Sequence, residues 1–250
     1  MKILIYGSRQ FGQVIQCLVE DCGHEFAGFI DDVYEGEGVL GPFAQTRLTH
    51  PPTEYSCVNA VGYSDLAARR EVTARIQNAG YAMPVLVHPR AYVSATSSLG
   101  PGSYVMAGAL VDCRVMVGES VVIWPGACVS HDCQIGANTF LSPNCTICGD
   151  CCVGSDCFVG AGAVVVSHAT VPHAWSGVRT VTGVSRGPVM LAPDCAVPLR
   201  SKKLETGIKV RQRRMARRAS PSQPGRAGAC GLRRRLEHET EWFSRRCRPY

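Results

Sequence analysis

Val87, Val93, Leu99, Val105, Val111, Val117, Ile123, Val129, Ile135, Leu141, Ile147, Val153, Val159, Val165 and Val171 put an aliphatic side chain at every sixth residue without a miss. Two places before each, from Val93 onward, stands a second compact residue: Ala91, Ser97, Ser103, Ala109, Val115, Val121, Ala127, Cys133, Thr139, Cys145, Cys151, Cys157, Ala163 and Ala169. Strand alternation has a period of two and a helix one of 3.6, so neither favours six. Hexapeptides are a β-solenoid period. The pattern predicts a prism of three flat sides, one hexad to a side and three hexads to a coil. Both marked positions point inward, as alternation along a strand demands. Coils stacked about 4.8 Å apart give, over five coils, a rod roughly 24 Å tall. Each coil buries its apolar edge only against its neighbours. A β-sandwich would show irregular spacings instead. Gly100, Gly118, Gly136, Gly154 and Gly160 follow aliphatic positions and are read as corners needing unusual φ.

The 250 residues suffice for two domains and a sizeable core. The net charge of +6 is unevenly held. Residues 1–199 carry 10 Lys/Arg against 16 Asp/Glu, whereas residues 200–250 carry 16 against 4. The basic character belongs to the tail, and the body offers no electrostatic sign of nucleic acid. No run of apolar residues is long enough to span a membrane and no signal peptide is visible, so a cytoplasmic protein is expected. Arg211–Arg218 and Arg233–Arg235 lack amphipathic order, and the tail from Arg200 reads as solvated and disordered.

Fourteen cysteines raise disulfides or a metal cluster, and Cys145 to Cys152 contains overlapping C-x-x-C spacings. The register argues against both. Cys133, Cys145, Cys151 and Cys157 fall on the small inward position, where a free thiol packs as a small hydrophobe. Cys148 falls on a corner, so the thiols do not converge, and no metal is expected.

Before the repeat, Lys2–Tyr6, Glu25–Asp32, Ser56–Gly62 and Met83–His88 read as four strands. An amphipathic segment to Asp21 and a helix opened by Ser64 as cap lie between them. This is a small doubly wound α/β unit, with Val33–Tyr55 expected as a long loop. Gly7 and Gly12 flank Ser8, Arg9, Gln10 and Phe11 after the first strand, where a backbone can approach a phosphate. The spacing is not the full G-x-G-x-x-G. Asp31 and Asp32 end the second strand, where carboxylates bind sugar hydroxyls or cap a loop. Dehydrogenase chemistry does not fit, because the second mononucleotide half is missing. The expected organisation is a Rossmann-like domain over residues 1–85, a β-helix over 86–199 and the Arg-rich tail over 200–250.

Of seven histidines, His131 has the informative context, Ser130-His131-Asp132-Cys133-Gln134-Ile135-Gly136. It lies two residues after Val129, at a corner, and the inward places are taken, so its imidazole faces outward. Beside Asp132, which orients the ring and raises its basicity, it is placed to act as a general base.

The hexad run, the Ser-His-Asp corner and the Gly7…Gly12 and Asp31-Asp32 unit together resemble the hexapeptide-repeat, left-handed β-helix sugar acyltransferases. The subgroup resembled contains the sialic-acid O-acetyltransferases and bacillosamine-pathway N-acetyltransferases. The resemblance covers residues 1 to about 172. It implies homotrimers with active sites between subunits, acetyl-CoA as co-substrate in the groove between prisms, and a sugar or nucleotide-sugar acceptor. It places the base at His131 with Asp132 behind it, an oxyanion-binding turn at Gly149, and a coil lining the CoA arm at Ala161. It gives the acceptor to Gly7, Ser8, Arg9, Gln10, Phe11, Gly12, Asp31, Asp32 and Gly62. Three features depart from the family. Phe140 stands where a second histidine near the acetyl group is usual, Phe11 stands in a loop that usually holds a histidine, and Thr182-Gly183-Val184-Ser185-Arg186 only echoes the usual closing turn.

Two other classes use such a solenoid. A zinc hydratase of the γ-carbonic-anhydrase kind needs three converging histidines. Those available are His131, His168 and His173, and His168 is one residue out of register with His131. A non-catalytic solenoid would bind a nucleotide-sugar only.

Overall fold

The computed structural model describes residues 1–177. The Arg-rich tail, the stretch 178–199 given to the β-helix and the Thr182–Arg186 turn lie outside the described residues.

The repeat region winds into three parallel sheets of two-residue strands. The first face stacks Leu86–Val87, Tyr104–Val105, Val122–Ile123, Phe140–Leu141, Phe158–Val159 and Ser176–Gly177. The second stacks Tyr92–Val93, Leu110–Val111, Cys128–Val129, Thr146–Ile147 and Val164–Val165. The third stacks Ser98–Leu99, Met116–Val117, Gln134–Ile135, Cys152–Val153 and Thr170–Val171. Each strand pairs with the strand one coil away, as Val122 does with Tyr104 and Phe140. The aliphatic residue of every hexad from Val105 to Val171 is buried, and so is the compact residue two places before it from Ser103 on.

The compact inward position also settles backbone hydrogen bonds that the corners would otherwise strand. Thr139 Oγ1 donates to the Gly154 carbonyl at 3.0 Å and accepts from Cys157 N–H at 3.2 Å. Ser103 does the same with Gly118 and Val121. Cys133 Sγ reaches the Cys148 carbonyl at 3.0 Å, and Cys151 N–H reaches Cys133 Sγ at 3.4 Å. The inward thiols are therefore hydrogen-bonding groups as well as small apolar ones.

The corner glycines work differently from expectation. The left-handed residue recurs every six residues, but three places after the aliphatic one. Arg114, Ser120, Asp132, Asn138, Asn144, Asp150, Asp156, His168 and Ala174 hold it, with glycine at 102, 108, 126 and 162. Asp and Asn tolerate that region better than most residues. Gly100, Gly118, Gly136, Gly154 and Gly160 do not have positive φ. Four of them are glycine because the next coil presses on them: a Cβ on Gly136 would lie 2.4 Å from Ser155 N, and one on Gly100 would lie 2.5 Å from Glu119 N.

The N-terminal unit comprises β1 (Lys2–Tyr6), α1 (Gln10–Asp21), β2 (Glu25–Ile30), β3 (Val39–Gly41), α2 (Phe43–Thr49), β4 (Tyr55–Asn59) and α3 (Leu66–Asn78). Its sheet is parallel, in the order β3-β2-β1-β4. Three sequence expectations are corrected. Residues 33–55 are not a plain loop, because β3 and α2 occupy them. Gly41 (φ 118) and Pro42 make the sharp strand-to-helix turn, and the Asp32 carboxylate accepts from Phe43 N–H at the start of α2. Met83–His88 adds no strand to this sheet: Leu86–Val87 pairs with Tyr104–Val105 and opens the first coil. The cap of α3 is Asp65, which accepts from Ala68 N–H at 2.8 Å, and not Ser64.

The α/β unit sits on the first face of the prism. Leu86, Tyr104, Val122 and Phe140, all outward-facing there, share one buried cluster with Ile3, Ile5, Ile15 and Val58. Arg69 of α3 is fully buried at this seam and donates to the Ser120 carbonyl and Asn138 Oδ1. Burial pulls its guanidinium down to about 10.

Candidate active site

The turn from Cys128–Val129 to Gln134–Ile135 carries His131 out of the prism at the corner between the second and third faces. The imidazole is half-exposed, and its Nδ1 lies 2.9 Å from Asp132 Oδ2. Asp132 is also gripped by Arg114, with Nε 2.6 Å from Oδ1 and a terminal nitrogen 2.7 Å from Oδ2. The Arg114 fork, then the hydrogen bond from His131, holds the Asp132 carboxyl far below the usual carboxylate range. An ionised carboxylate only accepts, so Nδ1 carries the proton and donates. That arrangement leaves Nε2 as the nitrogen that can accept, as a general base requires.

Gly149 lies one coil beyond His131. A Cβ there would fall 2.6 Å from His131 Cε1 and 2.7 Å from Nε2. Glycine at this position gives the ring the place it occupies. The structure brings together His131, Asp132 and Gly149, which the sequence had singled out, and adds Arg114, which it had not. The signal was present: Arg114 stands one coil, eighteen residues, before Asp132 in the same corner slot.

The other assigned cofactor residues do not join this corner within one chain. Ala161 is exposed, but on the turn between the first and second faces. Phe140, also counted among the cofactor-binding residues as the position of that second histidine, is fully buried on the first face. It packs against Phe11, with ring centroids 5.7 Å apart, against the edge of Tyr63, and under the Arg69 guanidinium. Phe11 also stacks on Trp124, so the two phenylalanines form part of the seam between the α/β unit and the solenoid.

In the α/β unit the assigned residues gather where β1, β2 and β4 end. The strand order reverses at β1, and such a switch point leaves a crevice at the carboxyl ends of the strands. Gly7 and Gly12 are required by close packing: a Cβ on Gly12 would lie 2.1 Å from the Gly7 carbonyl oxygen, and Gly7 has φ 112. Asp31 accepts from the Ser8 N–H and hydroxyl and from the Val33 and Tyr34 N–H groups. Asp32 accepts from Tyr6, Arg75 and Phe43. Both carboxylates thus act as loop caps, with their oxygens already engaged. Burial pushes Asp31 up, but these hydrogen bonds outweigh it and leave its pKa lowered. Arg9 and Gln10 are exposed, and Arg9 lies over the Tyr34 ring and donates to its hydroxyl at 2.9 Å. Gly62 follows β4, and a Cβ there would meet nothing within 4 Å.

The three histidines weighed for zinc are separated. His168 shares the His131 corner two coils on and lies 3.7 Å from Asp150. His173 is on the next corner and accepts from Ser155 N–H. Among the described residues, no helix is long and apolar enough to cross a membrane.

Two family descriptions match the chain: bacterial transferase hexapeptide (six repeats), over residues 114–149 and 132–167, and the PglD N-terminal domain, over residues 2–76. Among curated proteins no match was found. The acetyltransferase domain of PglB from Neisseria gonorrhoeae is 28% identical, with a TM-score of 0.63 over 73% of this chain and 94% of that one. The same domain in complex with acetyl coenzyme A aligns at 26% identity and TM-score 0.57, over 70% and 94%. A variant of perosamine N-acetyltransferase from Caulobacter crescentus, in complex with CoA and GDP-perosamine, shares the fold at 23% identity and TM-score 0.59, over 70% and 92%.

Proposed function

We propose that this chain, an acyltransferase of the hexapeptide-repeat, left-handed β-helix type, transfers the acyl group of an acyl-CoA, acetyl-CoA foremost, to an amino or hydroxyl group of a sugar or nucleotide-sugar. The observation that carries this reading is the His131 corner, a half-exposed imidazole whose Nδ1 lies 2.9 Å from Asp132 Oδ2. A thioester co-substrate supplies an activated carbonyl carbon and a thiolate leaving group. His131 Nε2 takes the acceptor's N–H or O–H proton as the acceptor bonds to that carbon. The imidazolium then returns the proton to the departing sulfur as the C–S bond breaks. Asp132 stabilises the imidazolium between these steps, and a backbone N–H of the Gly149 turn is the proposed donor to the developing oxyanion.

The acetyl-CoA-bound PglB domain supports the choice of acyl donor. The exposed Arg9 and Gln10, which follow β1 at the switch point of the strand order, support a nucleotide-linked acceptor. Assembly as a homotrimer is supported by the faces of the prism. The α/β unit covers the first, whereas the second presents an uncovered row in which Tyr92 is 57% and Leu110 38% exposed. The His131 corner borders that face, so a neighbouring prism seated there would bring its own edge, Ala161 included, towards the imidazole.

Thiol release from a set of acyl-CoAs, measured against a panel of UDP- and CMP-sugars, tests the reaction. His131→Asn is expected to lower turnover by on the order of 100-fold or more and to leave the oligomer unchanged in size-exclusion chromatography. Full activity in that variant discards the assigned base.

A further inference from the structure

The pairing of Arg114 with Asp132 follows from the repeat itself. Both residues hold the left-handed corner slot, with φ 57 and 59, on adjacent coils. Identical backbone conformation one inter-strand spacing apart sends their side chains off in parallel. A guanidinium fork directly beside a carboxylate is the geometry for two parallel hydrogen bonds, and both are present, at 2.6 and 2.7 Å. One of the two carboxylate oxygens, Oδ2, also receives His131 Nδ1–H. The three side chains therefore form a single relay, Arg114 to Asp132 to His131, which ends at the free Nε2.

We propose that Arg114 is a positioning residue of the acyl-transfer site, which fixes the carboxylate that orients His131 and limits how far that carboxylate raises the basicity of the imidazole. This inference rests on the proposed function, with His131 as base. A carboxylate bonded to an imidazole favours the imidazolium, and a cation on the same carboxylate opposes that effect. The consequence is a ring held in one orientation by a carboxylate whose pull on the imidazole is shared with a cation. An unclamped Asp132 would leave more of the enzyme with Nε2 already protonated near neutral pH.

The other charged and titratable groups at the corner are few. On the coil before, Asp112 and Cys113 flank Arg114. On the coil after, Asp150 donates its N–H to the His131 carbonyl and pairs with His168, and Cys148 lies beside Gly149. None of these makes a bidentate contact with Asp132. Arg114 is exposed, so its replacement removes the clamp without opening the core.

Arg114→Gln and Arg114→Lys, each in the full chain, provide the test. The first readout is the NMR titration of the His131 imidazole, its signal assigned by its loss in His131→Asn. The second is the pH profile of kcat/KM with acetyl-CoA. Removing the cation in Arg114→Gln is expected to raise the His131 midpoint by about half to one pH unit. The acid limb of kcat/KM should move with it. Lysine keeps the charge but not the fork, so Arg114→Lys should stay near the wild-type midpoint while its kcat falls. An unmoved midpoint in Arg114→Gln overturns the proposal, whatever the activity. A midpoint that rises while the acid limb stays fixed overturns it by another route, because His131 is then not the base. Asp150→Asn is the control for general charge loss at the corner: if its midpoint rises as far as that of Arg114→Gln, the fork has no special part.

Discussion

The solenoid corner and the mouth of the α/β unit both hold aspartates with every oxygen engaged, yet the two groups do opposite things. Asp31 and Asp32 direct their oxygens to backbone N–H groups, Ser8, Tyr6 and Arg75, and so hold loops in place. Asp132 directs its oxygens to two side chains, one of which, His131, keeps a second nitrogen free. In the repeat, a residue's surroundings follow from its position within an eighteen-residue coil. In the α/β unit they depend on where each loop happens to close.

That contrast predicts where a single methyl group does most damage. Gly136 is pressed by backbone, with a Cβ reaching 2.4 Å from Ser155 N, and backbone held in a stacked coil cannot step aside. Gly136→Ala is therefore expected to cost about 3 kcal/mol by overpacking, read as a lower urea midpoint. A variant as stable as wild type would mean that the coils can spread, and that the rod is less rigid than its ladder implies.

For the α/β unit, Asp31→Ala strands three backbone N–H groups, of Ser8, Val33 and Tyr34, and the Ser8 hydroxyl. The expected loss is about 2 to 3 kcal/mol, as for a charge-assisted hydrogen bond removed from a buried acceptor. A loss of acceptor affinity at unchanged stability would restore Asp31 as a ligand residue and dissolve the contrast. Acid should report the same difference. The pKa of Asp31 is lowered on folding, so the stability it adds is present above the unfolded carboxyl value of about 3.9. It is lost as pH falls through the lower, folded value. Asp31→Asn should flatten the stability curve in that window, below about pH 4, and leave the neutral region parallel to wild type.

Sequence reading succeeded where physics repeats. Val129 and Ile147 had to point inward because their whole column does, and His131 had to point outward because it could not share that column. Arg114 is not marked by the hexad, because side chains on a corner meet their neighbours eighteen residues away. In the α/β unit, α2 escaped because glycines and prolines around it read as loop, although Gly41 and Pro42 serve to turn the chain into that helix. The second-strand aspartates could be read either as ligands or as loop caps, and nothing local in the sequence shows that Ser8, Val33 and Tyr34 close on Asp31. Phe140 was marked by its place near the acetyl group in the family resembled, but whether an outward residue of the first face is exposed depends on the unit seated over it, which the hexad does not encode.

Gly149 separates the two kinds of constraint within the solenoid itself. It sits at a corner like Gly136, but what its missing Cβ accommodates is the His131 ring and not the backbone of a neighbouring coil. An imidazole on an exposed corner can swing aside, so Gly149→Ala should leave the unfolding midpoint close to that of wild type. The swing would carry Nε2 away from its place and loosen the 2.9 Å bond to Asp132. Because small misplacements of a reacting group are costly in rate, turnover should fall by about tenfold, without a matching rise in KM. A loss of stability on the scale of Gly136→Ala would place Gly149 with the backbone-limited glycines. Unchanged turnover would show that the ring's position over Gly149 is not the one it uses in transfer.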